Sequence, residues 1–473
     1  MQRPRIRRPI VAAHGCAHVP GGLLYPVLPA AYLVVVTVAL IVVPYDISGA
    51  FLLAPVLAAV NMPLVLRAQR TETNPLVRRL IPIGLLAACV VGVARLQITT
   101  WWYGTYGGLP DPARYHSQGA EQAARFWHGD FTMPSTIFGT EFTDLSTGIL
   151  YTLTGPTLFG GYLCYSCLAF WGLYLCYRSF RTALPDADHR RYARLVLFLP
   201  SSLFWSCAIG KEPLVMLGIG SALLGAARML TGTPRAVLPL LSGLCLAGAV
   251  RPHITVLMIT AMFAAVAMRR SRKQGPMVPV TRSLGLAAIL AAGVLATGPL
   301  ATLISAEEIN LETIDQELDK TAKNYSNEGG SGFSADVVKH PLDFPGAVIT
   351  VLLRPFPWEA DSLFTLLAAG EGVLLAGLVV ASWRRWAPVP RMLRDSSYLV
   401  LCLAALPMYV IVLSAFGNFG TLVRERLMML PLVLVFLCLP RPSAASASSV
   451  PSGRDSRHPL EGRRGTALSA PAN

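Results

Sequence analysis

Carboxylate, imidazole and phenol side chains are concentrated in one polar stretch of the chain, residues 101–144. Asp111 lies between two prolines in this stretch and is followed by Tyr115 and His116. A carboxylate beside a hydroxylated substrate can act as a general base, and tyrosine and histidine can orient a sugar or a phosphate. The pattern therefore predicts Asp111 as a catalytic base and Tyr115 and His116 as substrate-binding residues.

Structural roles remain open for the same residues. The run 113–127 has helical spacing, which predicts a helix lying on a membrane surface. Asp111, just before that run, could cap the helix N-terminus, and Tyr115 and His116 could pack at the interface. Glu141 and Asp144 are further catalytic candidates, with solvated loop charge as their alternative role.

The composition indicates the class of protein that holds this stretch. Of the 473 residues, 53% are hydrophobic and only 14% are charged, and the mean hydropathy is +0.51. A soluble protein of this length needs a charged exterior, whereas a protein surrounded by lipid does not. The composition therefore predicts an all-α, polytopic membrane protein.

The formal net charge of +14 does not indicate a nucleic-acid partner. Arginine and lysine cluster in short segments between apolar runs, as the positive-inside rule expects of cytoplasmic loops. The basic N-terminus, residues 1–22, is therefore predicted to lie in the cytoplasm, and the protein in the plasma membrane.

Apolar runs and basic loops alternate along residues 23–440, which predicts one membrane domain with about twelve spans and both termini cytoplasmic. Two outer loops, 99–146 and 305–361, would carry interfacial helices, and 441–473 would form a disordered cytoplasmic tail. The predicted spans are 24–43, 50–66, 80–98, 157–177, 195–209, 214–227, 236–250, 254–268, 283–304, 362–383, 397–416 and 427–439.

Charged turns between the shorter predicted spans fall on the same side as the 101–144 stretch. Charges at membrane depth are costly, so they normally pair or serve a substrate. Arginine binds phosphate with paired hydrogen bonds, which predicts a site for an anionic substrate such as a lipid diphosphate. The substrate-binding candidates in these turns are Lys211, Glu212, Arg251, His253, Arg354, Trp358, Glu359, Arg424 and Arg426.

These turns also admit structural interpretations. Lys211 and Glu212 could pair with each other, Arg251 could reach lipid phosphate, and Glu425 could form a surface ion pair with its neighbours. Arg95, near the outer end of the third predicted span, is interpreted as extending outward to the membrane surface. Trp358, in another of the charged turns, could instead belong to an aromatic belt at the membrane boundary.

Short segments resemble a known class of membrane enzymes. Residues 108–116, Gly-Leu-Pro-Asp-Pro-Ala-Arg-Tyr-His, resemble the Asp-x-x-x-Tyr element in the first large outer loop of GT-C-type polytopic glycosyltransferases. Residues 199–212, 251–253 and 418–431 are similar to bacterial envelope-polysaccharide polymerases of the O-antigen type. The acidic loop follows the third predicted span, whereas in most GT-C enzymes it follows the first, which favours the polymerase branch.

The resemblance implies a glycosyltransferase or polysaccharide polymerase that takes a polyprenyl-phosphate-linked sugar at the outer membrane face. Its partners would be a lipid-linked donor, a glycan acceptor and membrane lipid. Asp111 would activate the acceptor, and Lys211, Arg251, Arg354 and Arg424 would bind the donor phosphates. Alternatives are a lipid-linked oligosaccharide flippase or another transporter, and a non-catalytic assembly subunit. No cofactor or metal motif is predicted, although isolated carboxylates can hold a divalent cation.

Overall fold

The computed structural model of the chain describes residues 21–106, 110–134, 136–268, 332–334 and 337–441. These residues form α-helices, short 3-10 helices and turns, with one isolated β-bridge between Gly332 and Asn418. The all-α class is therefore confirmed for the described part of the chain. Several predictions lie outside it, namely those for 1–20, 283–304, 305–331 and 442–473.

The described residues form two 3-10 helices and seventeen α-helices. In chain order they are α1 (Gly21–Val42), α2 (Tyr45–Thr71), α3 (Pro75–Tyr106), α4 (Asp111–Trp127), α5 (Thr140–Thr154), α6 (Leu158–Ala183), α7 (His189–Phe198), α8 (Pro200–Phe204), α9 (Lys211–Thr231), α10 (Val237–Val250), α11 (Pro252–Ala267), α12 (Phe344–Leu353), α13 (Leu363–Ser382), α14 (Val389–Asp395), α15 (Ser397–Ser414), α16 (Phe419–Arg426) and α17 (Leu430–Leu437).

Five described helices are long and apolar enough to cross a membrane, namely α2, α3, α6, α9 and α13. A sixth crossing results if α14 and α15, which meet at an angle of 115°, form one bent span. Helices α10, α11 and α12 and residues 29–42 of α1 are apolar but shorter. Length and composition thus support a membrane protein, while the total of about twelve spans stays a prediction.

The helix ends define two faces of the bundle. At one face, Arg181 at the end of α6 pairs with Glu72 between α2 and α3, and Trp386 after α13 donates a hydrogen bond to the carbonyl oxygen of Phe436 in α17. We call this the arginine face, because arginines recur at its helix ends. The opposite ends of α3, α6, α9 and α13 meet α4 and α5, and we call that side the loop face.

The 101–144 stretch is more helical than its composition predicts. α3 continues to Tyr106, and the predicted helix at 113–127 is confirmed as α4. The helix α5 that follows was not predicted. It packs closely on α4, since an added Cβ at Gly119 would overlap the side chain of Thr147.

Glycines bring the backbones of α6, α9 and α10 into close contact. An added Cβ at Gly220 in α9 would overlap the carbonyl oxygen of Gly172 in α6, and one at Gly243 in α10 would overlap the backbone nitrogen of Ala222. Small residues commonly let helices approach in this way within membranes. These contacts pack α6, α9 and α10 closely against one another.

Gly220→Ala is expected to destabilise the protein by about 1–3 kcal/mol, because the added methyl group overlaps backbone that cannot rotate away. The control is Gly377→Ala on α13, where an added Cβ meets nothing within 4 Å. Thermal unfolding in detergent should show a lower midpoint for the first variant and an unchanged or slightly raised midpoint for the second. Equal midpoints would contradict this account of the packing.

The predicted span 195–209 is wrong as a single helix. α7 ends at Phe198, and Leu199 adopts an extended conformation before Pro200. Proline cannot donate a backbone hydrogen bond and disfavours helical geometry in the preceding residue. The short α8 follows, and residues 205–210 are not helical. Broken backbone at membrane depth must find hydrogen-bond partners within the protein.

Charged side chains provide those partners at both ends of α8. At its start, the Glu371 Oε2 atom accepts a 2.6 Å hydrogen bond from the backbone nitrogen of Ser201. At its end, the Arg95 Nη1 atom donates to the carbonyl oxygens of Phe204 and Trp205, at 2.8 and 2.7 Å. The signs of both charges suit the helix dipole. Arg95 is only 6% exposed, so its predicted extension to the membrane surface is wrong.

Candidate functional site

A cavity of about 650 Å³ lies at the loop face, where α3, α4, α8, α13 and α16 meet. Ligand sites commonly have this volume and combine apolar walls with a few polar groups. Its charged and hydroxyl-bearing lining residues, apart from a tyrosine, are Arg95, Thr99, Asp111, Asp361, Ser362, Thr365 and Arg424. Its aromatic lining residues are Trp102, Tyr103, Phe204, Trp205, Phe364 and Phe419.

Asp111 lines this cavity from the first turn of α4. The N-cap of α4 is Pro110, and no side chain caps the helix. Instead, the Asp111 Oδ2 atom accepts a 2.8 Å hydrogen bond from Arg424 Nη1. The capping interpretation is therefore wrong, although a carboxylate in the first turn still suits the helix dipole. The Asp111 side chain is 56% exposed, so it remains accessible from the cavity.

Arg424 continues the contact into the bundle. Its Nε atom lies 3.1 Å from Glu212 Oε1 at the start of α9. The same carboxylate oxygen accepts a 3.2 Å hydrogen bond from Arg251 Nη2, and Arg251 Nη1 pairs with Glu425. Asp111, Arg424, Glu212, Arg251 and Glu425 thus alternate in charge from the cavity inward, and we call them the charge series. Glu212, followed by the other carboxylates, holds the pKa of Arg424 above its usual value.

The charge series overturns three structural interpretations of the turns. Glu212 pairs with Arg251 and Arg424 rather than with its neighbour Lys211. Arg251 is buried between two carboxylates instead of reaching lipid. Glu425 is 2% exposed, so it is not part of a surface ion pair.

Local sequence explains how these residues reach the interior. α10 ends at Val250, with Arg251 as its C-cap, because Pro252 cannot continue the helix and instead begins α11. The segment 417–426, which connects two predicted spans, contains the short helix α16. Its N-cap Asn418 accepts a 3.1 Å hydrogen bond from the backbone nitrogen of Thr421, and this short helix presents Arg424 to the cavity.

Tyr115, Lys211 and His253 lie around the charge series. Burial, with added effects of Glu212 and Asp111, raises the pKa of Tyr115 to about 12, so its phenol stays protonated at neutral pH. Lys211 begins α9 within electrostatic reach of Arg251 and Asp111. His253, in the first turn of α11, lies within electrostatic range of Arg251 and Lys211. These predicted substrate residues border the site but do not line the cavity.

Asp144 is half-buried in α5, and its Oδ1 atom has no hydrogen-bond partner among the described residues. Burial raises the pKa of Asp144, and the positive charges of Arg114 and Lys211 oppose that rise. Asp144 therefore lies near the site, but it is not among the residues that line the cavity.

His116 and Glu141 have other partners. The Nδ1 atom of His116 is 2.8 Å from the Tyr151 hydroxyl and its Nε2 atom is 3.4 Å from Asp46. Burial lowers the pKa of His116, against the opposing effect of Asp46. Glu141 accepts hydrogen bonds from the backbone and hydroxyl of Thr136. The structure therefore does not bring these predicted residues to the cavity.

Arg354, Trp358 and Glu359 form a separate cluster. Arg354 donates to Glu359 through Nε and Nη2, at 3.0 and 2.5 Å, and lies 5.6 Å from the ring centroid of Phe419. Burial opposes ionisation of Glu359, but the hydrogen bonds from Arg354 and from the Phe356 backbone outweigh it and lower the Glu359 pKa. Trp358 is 80% exposed. Arg354 thus lies beside Phe419, which lines the cavity, but Arg354, Trp358 and Glu359 are not themselves among the lining residues.

Arg426 has a structural role. It is fully buried, and its Nη1 atom donates to the carbonyl oxygens of Leu352 and Arg354, at 2.8 and 3.1 Å. Those carbonyl groups lie at the end of α12, where the last backbone carbonyls have no hydrogen-bond donor within the helix. Arg426 therefore caps α12 and does not line the cavity.

Sequence reasoning missed the contribution of Arg95 and the aromatic residues. The Arg95 guanidinium lies 5.4 Å from the centroid of the Phe204 ring and 5.3 Å from that of Trp205. The rings of Trp102 and Phe364 meet edge to face at 5.0 Å and connect α3 with α13. An arginine inside an apolar run was the available signal, since such residues commonly mark functional sites.

Among the described residues, no group of three or more His, Cys, Asp or Glu side chains could hold a metal ion. Asp361 lines the cavity, and its Oδ1 atom accepts a 3.1 Å hydrogen bond from the Thr365 hydroxyl. No protein-family model, curated protein or solved structure matches the chain. The resemblance to GT-C enzymes and polymerases therefore rests on the short motifs quoted above.

Proposed function

We propose that this protein is a membrane glycosyltransferase or polysaccharide polymerase of cell-envelope assembly. It would transfer a sugar from a polyprenyl-phosphate-linked donor to a glycan acceptor. The observation that carries the proposal is the cavity at the loop face, where Asp111 lies beside Arg424 in a site that also contains Arg95 and aromatic walls.

The proposal places the loop face outside the plasma membrane and the arginine face in the cytoplasm. The arginine-rich helix ends support this orientation, because short cytoplasmic loops carry an excess of basic residues. Both termini would then be cytoplasmic. The cavity would open at the outer leaflet, where a lipid-linked sugar could enter it.

The lining of the cavity offers a partner for each part of such a donor. Arg95 and Arg424 suit a phosphate, because guanidinium groups match phosphate oxygens in geometry and charge. Asp111 and Asp361 could accept hydrogen bonds from sugar hydroxyl groups. Rings such as Trp102 and Phe364 provide apolar surface against the sugar or the first part of the lipid.

In the proposed reaction, Asp111 removes the proton from an acceptor hydroxyl while that oxygen attacks the anomeric carbon of the donor. The bond from that carbon to the donor phosphate breaks, and the lipid phosphate leaves with the electron pair. Arg424 would stabilise the leaving charge. Because Arg424 pairs with Asp111, a bound phosphate would compete for Arg424 and release Asp111 to act as the base.

One observation favours a second candidate, a transporter of lipid-linked sugars. The charge series extends from the cavity to buried Glu425. Ionisable residues within membrane proteins often form the paths of protons or other substrates. A transporter would move the sugar lipid across the bilayer without making a glycosidic bond.

Ala368→Trp tests both candidates, because Ala368 lines the cavity from α13 and the added indole would fill it. Purified protein in vesicles would receive radiolabelled polyprenyl-phosphate sugars and an acceptor glycan. We expect wild-type protein to form product and the variant to form at least about tenfold less. The control is Gly377→Trp on the same helix, where an added Cβ meets nothing within 4 Å, and it should keep the wild-type rate.

The outcomes separate the candidates. Product that depends on an open cavity supports the transferase. Movement of the sugar lipid across the bilayer without product, blocked by Ala368→Trp, supports the transporter. If wild-type protein neither forms product nor moves the lipid with any donor of this class, both proposals are wrong and an assembly subunit is favoured.

A further inference from the structure

A second pocket lies at the arginine face, at the end of α13 remote from the cavity. It has a volume of about 590 Å³. Its lining residues are Ala381, Trp383, Arg384, Arg385, Ala387 and Arg441. Three of these are arginines, and none of the described residues that line it is acidic. Because α13 has 20 residues, the two pockets are separated by roughly 30 Å along its axis.

Arg385 forms a fixed wall of this pocket. It is 4% exposed, with Nη2 donating to Asp188 at 3.0 Å and Nη1 donating to the carbonyl oxygen of Leu439 at 2.5 Å. Its buried Nε atom has no hydrogen-bond partner among the described residues. Asp188 balances Arg385, so the charges left for a ligand are those of Arg384 and Arg441. Arg441 also lines a smaller neighbouring pocket with Asp186 and Asp188, but no described carboxylate lies within ion-pair distance of Arg441 or of Arg384.

The surroundings of the pocket place it at a membrane boundary. Trp383 and Trp386 flank the two arginines, are 62% and 39% exposed, and close a candidate span that runs from Leu363 to Trp386. Tryptophan is enriched where the hydrocarbon of a membrane meets its headgroups. Val380, one turn before the pocket, is 69% exposed, so an apolar helix surface leads up to the arginines.

We infer that this pocket binds the headgroup phosphate of an anionic phospholipid from the leaflet at the arginine face. The phosphate would contact Arg384 and Arg441, and the acyl chains would lie on the exposed apolar side of α13. Basic pockets beside membrane helices bind anionic headgroups because Coulomb attraction adds to the burial of the chains. This inference is independent of the proposed transferase, since it concerns the opposite end of the bundle.

The remainder of the chain is a poor alternative occupant. Residues 442–473 contain four arginines, at 454, 457, 463 and 464, against two acidic residues, Asp455 and Glu461. The formal charge of that segment is therefore 4 − 2 = +2, leaving histidine neutral, and it would be repelled by a cationic pocket. A phospholipid carries both the opposite charge and the apolar chains that fit α13.

The test compares lipid binding by wild-type protein and by the double variant Arg384→Gln/Arg441→Gln. Native mass spectrometry would count phosphatidylglycerol molecules bound to protein taken from mixed phosphatidylglycerol and phosphatidylcholine nanodiscs. We expect the wild type to retain phosphatidylglycerol preferentially and the double variant to bind it roughly thirtyfold more weakly, from the loss of two cations near the surface.

The matched control is Arg391→Gln/Arg394→Gln, which removes the same charge from exposed positions on α14 at the same face. It should retain the wild-type preference. Equal loss in both double variants, or no loss in the first, would overturn the inference. Soluble glycerol phosphate that displaces the lipid at equal concentration would also overturn it, because the acyl chains would then contribute nothing.

Discussion

Asp111→Asn is expected to reduce sugar transfer by about 10²–10⁴-fold, because the amide cannot accept the proton of an attacking hydroxyl. The substitution keeps the size of the side chain and an oxygen that can accept the hydrogen bond from Arg424. Stability should change little, since a half-exposed ion pair contributes about 0–1 kcal/mol. A lost rate with an unchanged thermal midpoint would therefore report on chemistry and not on folding.

The matched control is Glu121→Gln, an exposed carboxylate on the same helix, α4. It should transfer sugar at the wild-type rate under the same donor and acceptor concentrations. Binding of the donor, measured separately, should be equal or tighter in Asp111→Asn, because Arg424 is then freer to contact the phosphate. A wild-type rate in Asp111→Asn would eliminate Asp111 as the base.

Arg251→Met is expected to destabilise the protein by about 3–5 kcal/mol, the usual consequence of removing one partner from a buried ion pair. Arg251 lies between Glu212 and Glu425, and both carboxylates are buried. Without the guanidinium, Glu425 loses its ion-pair partner among the described residues. Thermal unfolding in detergent, followed by tryptophan fluorescence, would measure the loss.

A second substitution separates charge from packing. Arg251→Met/Glu425→Met removes both members of the pair and should recover much of the lost stability, since apolar replacement of a buried pair is often neutral. Arg391→Met, at an exposed position, should change stability by no more than about 0.5 kcal/mol. If the single Arg251 variant unfolds at the wild-type temperature, the pairing has no structural role.

Local sequence patterns were sufficient for α4 and for the turn at Pro252, but they missed the break at Pro200. The spacing of residues 113–127 predicts a helix, and the structure has one from Asp111 to Trp127. Pro252 likewise marks the junction of α10 and α11. Such features depend on residues within one or two turns, so a single sequence contains the necessary information.

The pairing of charges was beyond sequence reasoning, because it depends on contacts between distant segments. Arg251 and Glu425 are 174 residues apart, and nothing local to either residue specifies the other. Beside a substrate-binding role, local reasoning offered Lys211 as the partner of Glu212 and lipid phosphate as the partner of Arg251. The predicted set was therefore right in bringing Asp111, Glu212, Arg251 and Arg424 to one side, whereas their partners required the fold.

Arg95 illustrates a different limit. A guanidinium near a helix end extends to the membrane surface if the bundle offers it no hydrogen-bond acceptor. After the break at Pro200, the carbonyl oxygens of Phe204 and Trp205 lack helical partners and accept hydrogen bonds from Arg95. Predicting the direction of the Arg95 side chain would have required knowing that α8 ends beside α3. That contact is a feature of the tertiary structure.

The short helix α8 also determines which residues around the cavity can be substituted without changing its width. Arg95 connects one end of it to α3 and Glu371 connects the other end to α13, in each case through backbone atoms. The width of the cavity between α3 and α13 therefore depends on the side chains of Arg95 and Glu371 and on main-chain groups that every residue type except proline supplies. Substitutions at lining positions such as Thr99 or Ala368 can alter ligand preference while that width is preserved. The frame and the selectivity of the cavity can thus evolve separately.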